Sequence, residues 1–69
     1  MLKKIIAIIE KETEKKIDIK KSFLDNNFDS LDIISVVMGI EKSFKIKIAD
    51  KNLKKIKRVE DLEKILKKN

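Results

Sequence analysis

The 69-residue sequence contains no cysteine and no histidine. Their absence excludes disulfides, thiolate nucleophiles, the usual zinc sites and any Ser–His or Cys–His catalytic pair, so few enzyme chemistries remain. Tryptophan and tyrosine are missing too, and three phenylalanines stand against thirteen isoleucines and six leucines. A core drawn from that set is aliphatic and suits a small helical bundle. There is no proline linker, no repeat, and no low-complexity tail beyond the closing Leu-Lys-Lys-Asn. Long hydrophobic runs are absent as well. The stretch Ile5 to Ile9 is too short for a signal-peptide core, is followed by charges and lacks a small-residue cleavage pattern. The chain therefore reads as cytoplasmic, with no membrane as partner. One domain, residues 1–69, is expected, with a modest core, because small domains bury only about 60% of the surface their unfolded chains expose.

Lysine is present in excess. The chain holds 18 Lys+Arg against 12 Asp+Glu, for a net charge of +6. Such a balance ordinarily suggests an anionic partner such as nucleic acid, but only Arg58 is arginine and no tyrosine or tryptophan stands among the lysines. Most often a lysine-rich surface is simply solvated. The charge is also unevenly divided. Residues 1–24 carry seven lysines and four acids, net +3, and residues 45–69 carry ten basic and four acidic residues, net +6. Between them, residues 25–44 set Asp25, Asp29, Asp32 and Glu41 against Lys42, net −3. This is an acidic island in a basic chain.

Leu2, Ile5, Ile6 and Ile9 recur at helical spacing, so a first amphipathic helix is expected over about residues 2–16. A long loop follows, mixing the turn formers Asp18, Ser22, Asp25, Asn26 and Asn27 with the apolar anchors Ile17, Phe23, Leu24 and Phe28. The second helix is expected over residues 30–44. Lys-Ile-Lys-Ile after it makes an extended connection, too short and unpaired for a sheet. A short helix at about 50–54 and a last one at about 59–67 complete an all-α four-helix bundle with three main helices. Val59, Leu62, Ile65 and Leu66 form the apolar face of the last helix, with Glu60 and Asp61 in its first turn as the helix dipole favours.

The second helix is apolar in two phases. At roughly 100° per residue, Ile33, Val36, Val37, Ile40 and Phe44 cluster on one side and Leu31, Ile34 and Met38 on nearly the opposite one. The first set is the core face. The second is an exposed stripe, of the kind that marks interaction surfaces. The plain reading of Asp-Ser-Leu-Asp is a helix start, Asp29 as N-cap and Asp32 three residues on as a weak capping box. A cap does not explain the stripe, the acidic island or the long anchored loop. Together these describe the hydroxyl of Ser30 displayed at a helix N-terminus, where backbone N–H groups and the dipole stabilise an attached phosphate.

The order of these features resembles the phosphopantetheine-dependent acyl carrier protein family. A Phe-containing loop, Asp-Ser-Leu opening the second helix, Phe44 near its end, an Ile-x-Ile connection, a short third helix and a Val-x-Asp start to the last helix follow one another at matching spacing. The resemblance covers most of the chain and implies a small acyl-carrier-like four-helix bundle. It implies that Ser30 accepts 4′-phosphopantetheine from coenzyme A and that the arm's thiol carries acyl groups as thioesters, without catalytic residues in the chain. It further implies that Asp29 and Asp32 help dock a phosphopantetheinyl transferase. The acyl-transferring or acyl-activating enzymes of fatty-acid, polyketide or other specialised biosynthesis would meet Leu31, Ile34, Met38 and Glu41. A monomer is expected. The sequence departs from the family pattern at Ser35, Lys42, Lys51, Lys54 and Lys55, where acids are frequent or the helix is usually acidic. It also departs at Asn27 for a loop glycine, Ala49 for a proline and Arg58 for a capping Thr or Ser.

Two other classes remain open from the residues alone. One is a small basic helical module that binds nucleic acid through residues 45–58; the other is a helical adaptor whose stripe binds a partner helix while Ser30 merely caps. Within the carrier class, an aminoacyl or peptidyl carrier is the nearer alternative.

Overall fold

Isoleucines three and four residues apart generate the first helix, α1 (Leu2–Thr13), in a computed structural model that describes residues 1–68. Ile5, Ile8 and Ile9 are buried and Leu2 packs at their rim. Ile6, expected on this face, lies about 100° around the helix from Ile5 and stays at the edge, while Ile8 takes the buried place. The helix stops at Thr13, short of the expected residue 16. Glu14 adopts a left-handed conformation (φ 57°) and donates its N–H to the Glu10 carbonyl at 2.9 Å. The Thr13 hydroxyl donates to the Ile9 carbonyl at 2.7 Å and accepts from the Lys15 N–H. With those groups satisfied the helix has no reason to continue.

The remaining helices are α2 (Ser30–Phe44), α3 (Asp50–Leu53) and α4 (Val59–Lys68). They match the expected spans to within one residue at each end, and no strand occurs among the described residues. Lys45 ends α2 in a left-handed conformation (φ 55°), its N–H and that of Ile46 both reaching the Glu41 carbonyl. Residues 46–49 then connect to α3 without regular secondary structure. α1 packs against α2 and α4 around Val36, Val37, Ile40, Val59, Leu62 and Leu66. Gly39 permits the approach of α1, since a Cβ there would lie 2.7 Å from Glu12 Cγ and 2.9 Å from Ile8 Cγ2.

The α1–α2 loop is ordered by buried rings and by its own side chains. Phe23 and Phe28 are buried with centroids 5.6 Å apart, and Ile17 is half-buried against the core. Leu24, expected as a fourth anchor, is instead exposed. It begins a single 3₁₀ turn, Leu24–Asn26, and one residue further round the turn it points away from the pocket that Phe23 fills. Asn26 is the hub of the loop. Its amide donates to the carbonyls of Asp18 (3.0 Å) and Ser22 (2.8 Å), and its carbonyl oxygen accepts from the Asp18 N–H at 2.8 Å. Asn27 takes the left-handed conformation (φ 64°), which Asn tolerates better than most residues. The far end of the loop is tied to α4: the Phe23 N–H donates to the Lys57 carbonyl at 2.8 Å, and Arg58 Nη1 to the Lys20 carbonyl at 2.9 Å. Asp61 accepts from the N–H groups of Lys57 and Arg58, the reverse half of a capping box at the start of α4, while the Arg58 side chain serves the loop.

Candidate functional site

Asp29 is extended (φ −101°, ψ −175°), and its Oδ1 accepts from the Asp32 N–H at 2.9 Å. Asp32 answers, its Oδ2 accepting from the Asp29 N–H at 3.1 Å. This is a full capping box with aspartate in both places, a device in which the cap alone is worth about 1 kcal/mol. The box binds the Asp32 N–H of the first turn and the Asp29 N–H before it. Ser30, the first residue of α2, is exposed and its hydroxyl takes no part in the cap.

Lys15 holds the end of the loop against this cap. Its Nζ lies 2.6 Å from Asp32 Oδ2, 2.9 Å from the Asn27 carbonyl oxygen and 5.4 Å from the centroid of Phe28. The hydrogen bond from Lys15, followed by that from the Asp29 backbone, holds the Asp32 carboxyl below the usual carboxylate range. A group whose pKa is depressed on folding stabilises the fold above its unfolded value of about 3.9 and loses that contribution as pH falls through the folded value. The stability of the wild type should therefore fall more steeply below pH ~4 than that of Asp32→Asn. The check is a set of urea melts at stepped pH, and coincident pH profiles would show the Lys15–Asp32 contact to be energetically idle.

The two apolar phases of α2 separate in space. Val36, Val37 and Ile40 are buried, with Ile33 and Phe44 packed beside them, while Leu31 (72%), Ile34 (51%) and Met38 (62%) are exposed. Ser30, Ile34, Met38 and Glu41 line one side of a groove of about 430 Å³, whose other wall is made by Ile48, Asp50 and Leu53. Glu41 Oε2 accepts from the Ile48 N–H at 2.7 Å and so binds the connection to the helix along the groove. Of the residues expected at the site, four thus share the groove, Leu31 is exposed outside its lining, and Asp29 and Asp32 form the cap at its end. Sequence reasoning missed Lys15, Ile48, Asp50 and Leu53. Ile48 carried the usable signal, as one of the two isoleucines of the connection, whereas nothing local distinguishes Lys15 from its neighbour Lys16.

Residues 2–66 match the family model described as the phosphopantetheine attachment site. The acyl carrier protein of Buchnera aphidicola is 42% identical over 60 residues, covering 86% of this chain and 76% of that one. The chain belongs to the acyl carrier protein family. A chloroplastic acyl carrier protein of Brassica napus is 36% identical over 64 residues, and this chain spans about half of its length, 48%. The crystal structure of an acyl carrier protein from Thermotoga maritima superposes with a TM-score of 0.83 at 33% identity, over 97% of this chain and 82% of that one. The carrier fold expected from the sequence is thus the one observed. Proteins of this family carry a covalently attached 4′-phosphopantetheine group and are carriers, with catalysis left to the enzymes they serve. Among the described residues no helix is long and apolar enough to cross a membrane.

Proposed function

We propose that Ser30 is the attachment point of 4′-phosphopantetheine and that the carrier delivers acyl groups to cytoplasmic enzymes of fatty-acid, polyketide or other specialised biosynthesis. The observation that carries this reading is the position of Ser30: an exposed hydroxyl at the start of α2, outside the capping box and at the mouth of an apolar groove. The residues fit the group. A phosphodiester on the Ser30 oxygen sits where the first-turn N–H groups and the dipole of a 15-residue helix favour negative charge. When bound, the group supplies a thiol that holds acyl chains as thioesters, chemistry that a chain without cysteine lacks. Asp29 and Asp32 shape the surface offered to a phosphopantetheinyl transferase. Leu31, Ile34 and Met38 offer apolar contact to the enzymes that exchange cargo, with Glu41 bordering the groove between them.

The acyl reading is tested against the aminoacyl one by offering the arm-bearing protein to an acyl-activating and an aminoacyl-activating enzyme in parallel. Intact mass should show a fatty-acyl thioester and no aminoacyl adduct. Aminoacyl loading alone would assign the chain to the peptide-forming carriers.

A further inference from the structure

We infer that the enzymes served by this carrier present a docking surface with an apolar centre and, where it faces residues 45–57, a rim rich in aspartate and glutamate, a partner chemistry that rests on Ser30 being the arm-bearing residue. The centre is set by Leu31, Ile34 and Met38, all exposed on α2. The rim follows from where the unpaired positive charges lie. Asp29 and Asp32 cap α2, Asp32 is also bound by Lys15, and one oxygen of Glu41 holds the Ile48 N–H. Of these acids only Asp32 is paired with a cation, while Asp29 and Glu41 accept from backbone N–H groups and keep their negative charge beside the stripe.

The lysines that follow α2 in the chain make no ion pair among the described residues. Residues 45–57 hold six lysines and one acid, Asp50. Lys51, Lys54 and Lys55 are exposed, and the Lys15–Asp32 contact is the one ion pair among the described residues. Lys51 and Lys54 directly follow Asp50 and Leu53, which line the groove opposite Ile34 and Met38. A partner that covers the groove and extends over α3 meets these exposed lysines. A basic rim would be repelled there, whereas an acidic rim is steered in and held in register.

The test uses the arm-bearing carrier, its single added arm first verified by mass. The probe is a fatty-acid condensing enzyme with a basic docking patch, together with a version in which two docking lysines or arginines are changed to glutamate. With the basic probe, kcat/KM of the wild-type carrier should rise as salt is raised from about 0.02 M to 0.2 M, because added ions screen a repulsion. The triple variant Lys51→Glu, Lys54→Glu, Lys55→Glu should be about tenfold or more faster at low salt and should reverse the salt dependence. The acid-patched probe should show the opposite preference. The neutral triple variant Lys→Gln at the same positions, falling between the two, guards against an effect of misfolding. Equal kcat/KM and flat salt profiles in every pairing would overturn the proposal and leave the lysines as solvated surface. In parallel, wild type and triple variant are titrated onto a fluorescein-labelled DNA duplex near 0.15 M salt. Micromolar or tighter binding that the reversal abolishes would replace the enzyme partner with nucleic acid. Failure of the Ser30 reading is seen separately, at the first step, as a protein that never gains the arm.

Discussion

Truncating Ile40 to alanine should cost the carrier about 2–5 kcal/mol of stability, against about 1 kcal/mol or less for Ile34→Ala or Met38→Ala. All three positions lie within seven residues of one helix, and all three are large and apolar. What separates them is burial: Ile40 is fully enclosed among the residues that join α1, α2 and α4, while Ile34 and Met38 are half or more exposed. Removing enclosed methylenes forfeits their transfer energy and leaves a cavity that a packed interior fills only in part. A domain this small has limited stability to lose, so Ile40→Ala should begin to unfold at modest urea concentrations. Val37→Ala should follow it, with a smaller loss because fewer atoms are removed. Urea melts of the four variants provide the check. Equal midpoint shifts in both pairs would mean that the supposed docking stripe is part of the core.

Ser30→Ala should eliminate attachment of the arm and leave the fold untouched. The cap survives the change because Asp29 and Asp32 make both of its hydrogen bonds. Alanine is also the better helix former by a few tenths of a kcal/mol, so α2 should be at least as stable as before. The expected result is a wild-type circular dichroism spectrum and urea midpoint, with no mass gain after incubation with coenzyme A and a broad-specificity transferase. An arm on the variant would remove Ser30 from its assigned role. Loss of helical signal would show the serine to be a structural residue.

These two expectations rest on features that the sequence displays openly. Both apolar phases of α2 are legible because helical periodicity is a local property, and the helix start is legible because Asp29 and Asp32 stand three residues apart, as a capping box requires. The end of α1 was not. Glu-Lys-Lys continues a helical pattern well, and only the left-handed backbone at Glu14, with the Thr13 hydroxyl turned back on Ile9, stops it. Leu24 was misplaced because apolarity alone does not say which way a residue in a 3₁₀ turn points. The contacts that position the site are the least legible of all. Lys15 meets Asp32 across 17 residues and Arg58 meets Lys20 across 38, pairings that depend on the closed bundle rather than on any local pattern. The far wall of the groove, Ile48 and Leu53, likewise exists only once the connection has folded back on α2.

The site assignment is tested most directly by mapping the modification on the wild-type protein. The chain contains four serines, Ser22, Ser30, Ser35 and Ser43, and it should gain one phosphopantetheine when incubated with coenzyme A and the transferase. Proteolysis and fragment sequencing should place the entire gain on Ser30. No gain, or an arm on Ser22, Ser35 or Ser43, would contradict it.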